Sequence, residues 1–218
     1  MLGLIPETSA PPRVLVVGCH ADDIEIGCGG TMLEIVARHP DAEVTWLVLS
    51  GNDARADEAS ASAASFLNGL AKEPRIHVEG FRDGFLPYLG PVVKERFEEL
   101  KGTVEPDLIL THTRDDLHQD HRLACELTWN TFRNHLILEY EIPKWDGDLQ
   151  PTTVFVPLDE ATAERKVDLL LDHFASQRDR HWFTRDVFLG LMRLRGLECN
   201  APSGFAEGFH GRKVIVRP

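Results

Sequence analysis

An apolar run, Val14-Leu15-Val16-Val17, passes without a spacer into Gly18-Cys19-His20-Ala21-Asp22-Asp23 and then into Gly27-Cys28-Gly29-Gly30. A run so apolar and so rich in β-branched residues reads as a strand buried on both faces, as in a parallel sheet. Ligands of open α/β sheets bind at the carboxyl ends of the strands. The first strand therefore delivers one histidine and two carboxylates to the edge where chemistry is expected.

The rest of the chain repeats the pattern. A strand at 13–18 leads through the glycine cluster into a helix from about Thr31 to Arg38, stopped by His39-Pro40-Asp41. Val44 to Leu49 reads as a second strand and 55–68 as an alanine-rich helix. A short strand follows at 75–78, then a broken loop at 80–91, a charged helix at 92–101 and a buried strand at 107–111. Asp115 or Asp116 is placed to cap a helix running to about Asn134. Later, 135–142 and 152–157 read as strands, 159–174 and 184–198 as helices, 204–211 as a glycine-rich loop and 214–216 as a last strand. Alternating strands and helices predict an α/β fold, a Rossmann-like three-layer sandwich on a mainly parallel sheet. No repeat or linker divides the chain, so 1–218 is expected to be one domain, with 140–218 supplying substrate-side loops.

Charge and composition narrow the partners. A formal charge of −12 argues against nucleic acid and against anionic membrane surfaces, both of which are bound through Lys and Arg. No stretch has the length and apolarity of a membrane span, and the opening residues lack a signal-peptide pattern, so a cytoplasmic protein is expected. Cys19, Cys28, Cys125 and Cys199 are sparse and irregularly spaced, which fits reduced thiols. Trp129 and Phe132 read as core residues, and His112 as a core residue or one standing behind the site.

A second polar cluster, His118-Gln119-Asp120-His121, follows the strand at 107–111. Right-handed crossovers put both strand ends on one edge of the sheet. Either cluster alone also suits an ordinary helix start, where acidic side chains cap amides and favour the dipole. Their coincidence points to a metal site, because two imidazoles and a carboxylate suffice for a catalytic zinc with one open position. His20 and Asp23 are one helical turn apart, as are His118 and His121. Zinc lowers the pKa of a bound water to about 7, a nearby carboxylate takes its proton, and an imidazole stabilises the oxyanion or protonates a leaving amine. This is the chemistry of amide hydrolysis.

The motifs resemble those of the PIG-L/LmbE-like zinc-dependent N-acetylglucosaminyl deacetylases. That family has Pro-His-Pro-Asp-Asp followed by Gly-x-Gly-Gly-Thr, and here the sequence reads Cys19-His20-Ala21-Asp22-Asp23 and Gly27-Cys28-Gly29-Gly30-Thr31. The second motif, His-Pro-Asp-His-Arg, appears as His118-Gln119-Asp120-His121-Arg122, with Arg55-Ala-Asp-Glu58 and Arg82-Asp83-Gly84 between them. The resemblance implies that His20, Asp23 and His121 bind Zn2+ or another divalent transition metal. It makes Asp22 the general base, His118 the stabiliser of the tetrahedral intermediate and Asp120 a residue that orients a histidine. Arg55 and Asp83 fall where the family contacts the sugar, and Trp145 is a candidate for stacking on it. Cys19, Ala21 and Gln119 replace three prolines of the motifs, which removes stiffness without removing a ligand.

The function expected is removal of an N-acyl group, most simply acetyl, from an N-acetylglucosamine-type sugar or glycoside. The substrate is then a small-molecule amino sugar, with homo-oligomerisation left open. Two alternatives stand beside it. One is a hydratase or lyase acting on an unsaturated carboxylate through the same metal site. The other is a sugar-binding protein without catalysis, against which the full ligand set and Asp22 argue.

Overall fold

The computed structural model describes residues 11–215. Strand β1 (Arg13–Gly18) is followed by α1 (Asp23–Arg38), β2 (Glu43–Val48), α2 (Asp53–Phe66), β3 (Arg75–Val78), α3 (Gly90–Lys101), β4 (Leu108–His112) and α4 (Gln119–Thr131). Then come β5 (Leu136–Tyr140), β6 (Val154–Leu158), α5 (Glu160–His173), α6 (Arg185–Cys199) and β7 (Phe205–Gly211). The strands form one sheet in the order β3-β2-β1-β4-β5-β7-β6. Neighbours from β3 to β5 are parallel, and β7 alone runs antiparallel to both its neighbours. This is the expected α/β sandwich.

Side chains of β1 alternate between two cores, as the period of a strand requires. Val14 and Val16 pack with α1, α2, α5 and α6, whereas Leu15 and Val17 pack with α3 and α4. Each fully buried aliphatic side chain stabilises by roughly 1.5–3 kcal/mol. The sheet is thus covered on both faces. From β1 the chain builds outward through β2 to β3, then returns to lay β4 on the other side of β1. That reversal opens a crevice at the carboxyl ends of β1 and β4.

Helix α1 begins at Asp23, well before the Thr31 start expected from the sequence, and passes through the glycine cluster with a kink. It is broken at Cys28, whose φ of −145° and ψ of 18° are not helical. Lys166 of α5 donates to the freed carbonyl of Ile26 at 2.7 Å and to Glu207 of β7 at 2.6 Å. Glu207 in turn accepts from the amides of Gly30 at 2.8 Å and Thr31 at 2.6 Å, and from the Thr31 hydroxyl at 2.6 Å. The two ends of the break are therefore satisfied by one buried ion pair. Glycine is needed here for contact: a Cβ on Gly27 would lie 2.1 Å from the Tyr140 ring, and one on Gly30 2.4 Å from Leu158.

Other boundaries shift by one to three residues, with three real differences. Residues 205–211, read as a glycine-rich loop, form β7, because Phe205 and Phe209 are buried on one face and Gly208 fits against Thr152 and Arg195. Val214 and Ile215 lie outside any strand, and the rest of the strand expected at 214–216 falls outside the described residues. The cap of α4 is His118, whose Nδ1 accepts from the Asp120 amide at 3.3 Å, while Asp116 is drawn away to another partner.

Candidate active site

Directly after β1 the chain turns through Cys19 to Asp22, and α1 starts with Asp23. Its Oδ2 accepts from the amides of His20 at 2.7 Å and Cys19 at 3.1 Å, so the helix start itself fixes this carboxylate. His20 Nδ1 lies 3.1 Å from Asp23 Oδ2 and 3.1 Å from His121 Nε2, and His121 Nε2 lies 3.3 Å from the same oxygen. Three donor atoms thus form a nearly equilateral triangle. A tetrahedral ion with bonds of about 2.0–2.1 Å sets its donors roughly 3.3–3.4 Å apart, so this triangle has the shape of one face of such a site. The residues fit a divalent transition metal.

Further donors surround the triangle. Among the described residues, Cys19, Asp23, His112 and His121 form one group whose ligand atoms lie within 4.8 Å of one another, and His20, His118 and His121 form a second. A third consists of His20, Asp83 and Asp120. His112, expected behind the site or in the core, stands against Asp23 and His121. Its Nε2 lies 3.2 Å from Asp23 Oδ2, and its ring stacks on His121 with centroids 3.9 Å apart.

The carboxylates differ sharply. Burial alone would raise Asp23, but His121, His20 and His112 outweigh it and hold the carboxyl well below its usual range. Asp22 shifts the other way, raised by burial and by Asp23 against the pull of Arg55. Arg55 Nη2 donates to Asp22 Oδ1 at 2.9 Å, and Asp22 Oδ2 is buried without a partner. Arg55, expected on the sugar, is thus bonded to Asp22, with Nη1 3.6 Å from Asp83.

The imidazoles also separate. Burial opposes the charge of His20 and His121, yet the acids around each win and raise both. His112 is pushed down to about 4 by burial and by His121. Burial, His121 and His20 lower His118. Its Nδ1 accepts a backbone N–H, so Nε2 carries the proton of the neutral ring.

Two acids stand behind the histidines. Asp120, fully buried, accepts from the amides of Gly84 at 2.8 Å and Leu86 at 3.2 Å and places Oδ2 3.4 Å from His20 Nε2. Asp83 Oδ1 is 3.1 Å from the same nitrogen, and neither acid is aligned to complete a hydrogen bond with it. Asp116, which the sequence offered only as a helix cap, holds His121 Nδ1 at 2.9 Å and the His118 amide at 2.7 Å. Its position five residues before His121 was the only hint of that.

His20, Asp22, Asp23, Arg55, Asp83, His118, His121 and Trp145 line one cleft of about 220 Å³, joined by Lys144, Gln177 and Trp182. Trp145 is 79% exposed at its mouth. A larger open hollow of about 390 Å³ lies at the opposite edge of the sheet around Arg13, Lys101 and Glu105. There Arg13 pairs with Asp107 and Glu105, and none of the expected site residues is present.

A triangle of donor atoms beside a carboxylate with one unpartnered oxygen, at the switch point of a doubly wound sheet, defines a candidate mononuclear metal centre. Residues 15–132 match the model of the PIG-L family, GlcNAc-PI de-N-acetylase. The chain belongs to that family. Solved structures share its fold. The conserved protein TT1542 from Thermus thermophilus is 20% identical, covers 95% of this chain and 97% of its own, and has a TM-score of 0.71. An N,N'-diacetylchitobiose deacetylase from Pyrococcus horikoshii is 18% identical over 92% of this chain and 84% of its own, with a TM-score of 0.68. GalB, the 4-carboxy-2-hydroxymuconate hydratase from Pseudomonas putida KT2440, is 15% identical over 95% and 98%, with a TM-score of 0.72. No curated protein matches by sequence. Among the described residues no helix is long and apolar enough to cross a membrane.

Proposed function

We propose that this chain is a metal-dependent hydrolase that removes an N-acyl group, most simply acetyl, from an N-acetylglucosamine-type sugar or glycoside. His20, Asp23 and His121 hold the metal, taken to be Zn2+. The observation that carries the reading is Asp22 Oδ2, buried and unpartnered beside the ligand triangle while Oδ1 is tethered by Arg55.

Zinc, when bound, supplies Lewis acidity that brings the pKa of a water to about 7. Asp22 takes the proton from the attacking water through Oδ2, and its raised pKa makes it a better acceptor. His118 presents Nε2–H to the carbonyl oxygen as negative charge develops there. Asp22 then returns its proton to the nitrogen as the C–N bond breaks, giving a carboxylate and a free amine. Asp120 keeps the outer side of His20 in place. Asp83 at the rim and Trp145 at the mouth offer a polar edge and an aromatic face, which is how proteins grip a pyranose.

Family membership and the likeness to the P. horikoshii deacetylase support this reading. Participation of β1 to β7 in one sheet supports reading 1–218 as one domain, and Trp145, Gln177 and Trp182 support a substrate side built from residue 140 onward. Four free cysteines support a cytoplasmic location. The likeness to GalB keeps a hydratase acting on an unsaturated carboxylate as the second reading. Incubating zinc-loaded protein with N,N'-diacetylchitobiose and other N-acetylglucosamine conjugates decides between them. Release of amine and acetate is expected; turnover of an unsaturated carboxylate without amine release from any amino sugar overturns the proposal.

A further inference from the structure

Lys144 has no part in the chemistry above, yet its ammonium lies 2.8 Å from Asp116 Oδ2 and 2.6 Å from Asp148 Oδ2, with the three side chains 12%, 1% and 4% exposed. Asp116 uses the same oxygen to hold His121 Nδ1, and Asp148 accepts the Leu117 amide at 2.7 Å. One cation therefore joins two buried carboxylates, one on the segment that carries His118 and His121 and the other on the loop at 143–149. Trp145, the next residue, leaves 79% of its surface in solvent and meets His181 edge-on with centroids 4.5 Å apart. An exposed tryptophan on a loop pinned by buried charges is held in place by that pin, since its own packing is slight.

We infer that Lys144 is a positioning residue that fixes the His121 imidazole through Asp116 and fixes Trp145 through the loop backbone, so that metal affinity and sugar affinity both depend on this one ammonium. Removing the charge leaves Asp116 and Asp148 as neighbouring buried anions, which repel and free the Asp116 carboxylate to turn from His121. The metal half rests on the ligand role proposed for His121, and the sugar half on the proposed substrate class.

The test titrates metal-free protein with Zn2+ against a chromogenic chelator and separately measures KM for N,N'-diacetylchitobiose. Lys144→Met is expected to weaken zinc binding by about 10–100-fold, as loss of a group supporting a ligand does, and to raise KM as well. Lys144→Arg is expected to restore most of the zinc affinity, and Trp145→Ala to raise KM with zinc affinity unchanged. A folded Lys144→Met protein with wild-type zinc affinity overturns the inference; where that variant does not fold, Lys144→Gln carries the same expectations. The zinc titration needs no substrate, so a wrong sugar assignment shows as absent amine release and leaves the outcome for Lys144 unaffected.

Discussion

Helix α1 carries two buried charge clusters, one at its start and one at its break, and they are built on opposite plans. At the break, Glu207 accepts four hydrogen bonds and Lys166 gives its own to Glu207 and Ile26, so the pair is closed. At the start, Asp22 keeps one oxygen without a partner, and His20 Nε2 faces two acids without bonding either. A closed cluster holds a shape, because any change leaves a buried charge unpaired. An open one facing a cleft holds a capacity to bind or react. Glu25, between the two, is a third case: both its oxygens are buried and unpartnered, and it does not line the cleft of the site.

The widest expected effect comes from the open cluster. Asp22→Asn should lower amine release by about 10²–10⁴-fold, the usual contribution of a general base, with no fall in melting temperature. A variant that keeps wild-type turnover removes the contrast altogether. For the closed cluster the sign reverses: Lys166→Met should cost about 3–5 kcal/mol in urea unfolding, and adding Glu207→Gln, which removes the unpaired charge and keeps an acceptor for the Gly30 and Thr31 amides, should restore part of it. Burial pushes Glu25 up to about 8, against some relief from Ser62. Since its folded pKa stands above the unfolded value, the native state holds a proton that the unfolded chain releases, and stability falls as pH rises through that window. Glu25→Gln should therefore stabilise by on the order of 4 kcal/mol at pH 8 and by much less at pH 5, read from melts at both. The smallest effect concerns the acceptor Glu207: Thr31→Val removes one of four donors to a charged group and should cost about 1.5–2 kcal/mol.

Much of the open cluster was legible in the sequence, because its residues follow directly on two apolar strands, and strand ends are where a parallel sheet binds. The closed cluster was not. A glycine run reads as a turn that leads into a helix, and nothing near Gly27 to Gly30 announces that Lys166 and Glu207 will take up the loose ends. The same distance hid β7, whose Glu207 and Gly208 look like loop residues until their partners arrive from α1, α5 and α6. Asp116 is misleading for a related reason: an acid before a helix has a local use, and only the fold shows that His118 caps α4 while Asp116 serves His121 and Lys144.

The ion pair at the break of α1 also sets an order of events in time. The amides of Gly30 and Thr31 wait for a carboxylate 176 or more positions further along the chain. On a ribosome every proposed metal ligand, up to His121, emerges long before Glu207. Until β7 docks, the break in the first helix, five residues beyond Asp23, lacks the carboxylate that satisfies its amides. Strand β7 thus acts as a latch on the first helix, closing its break from a position far along the sequence.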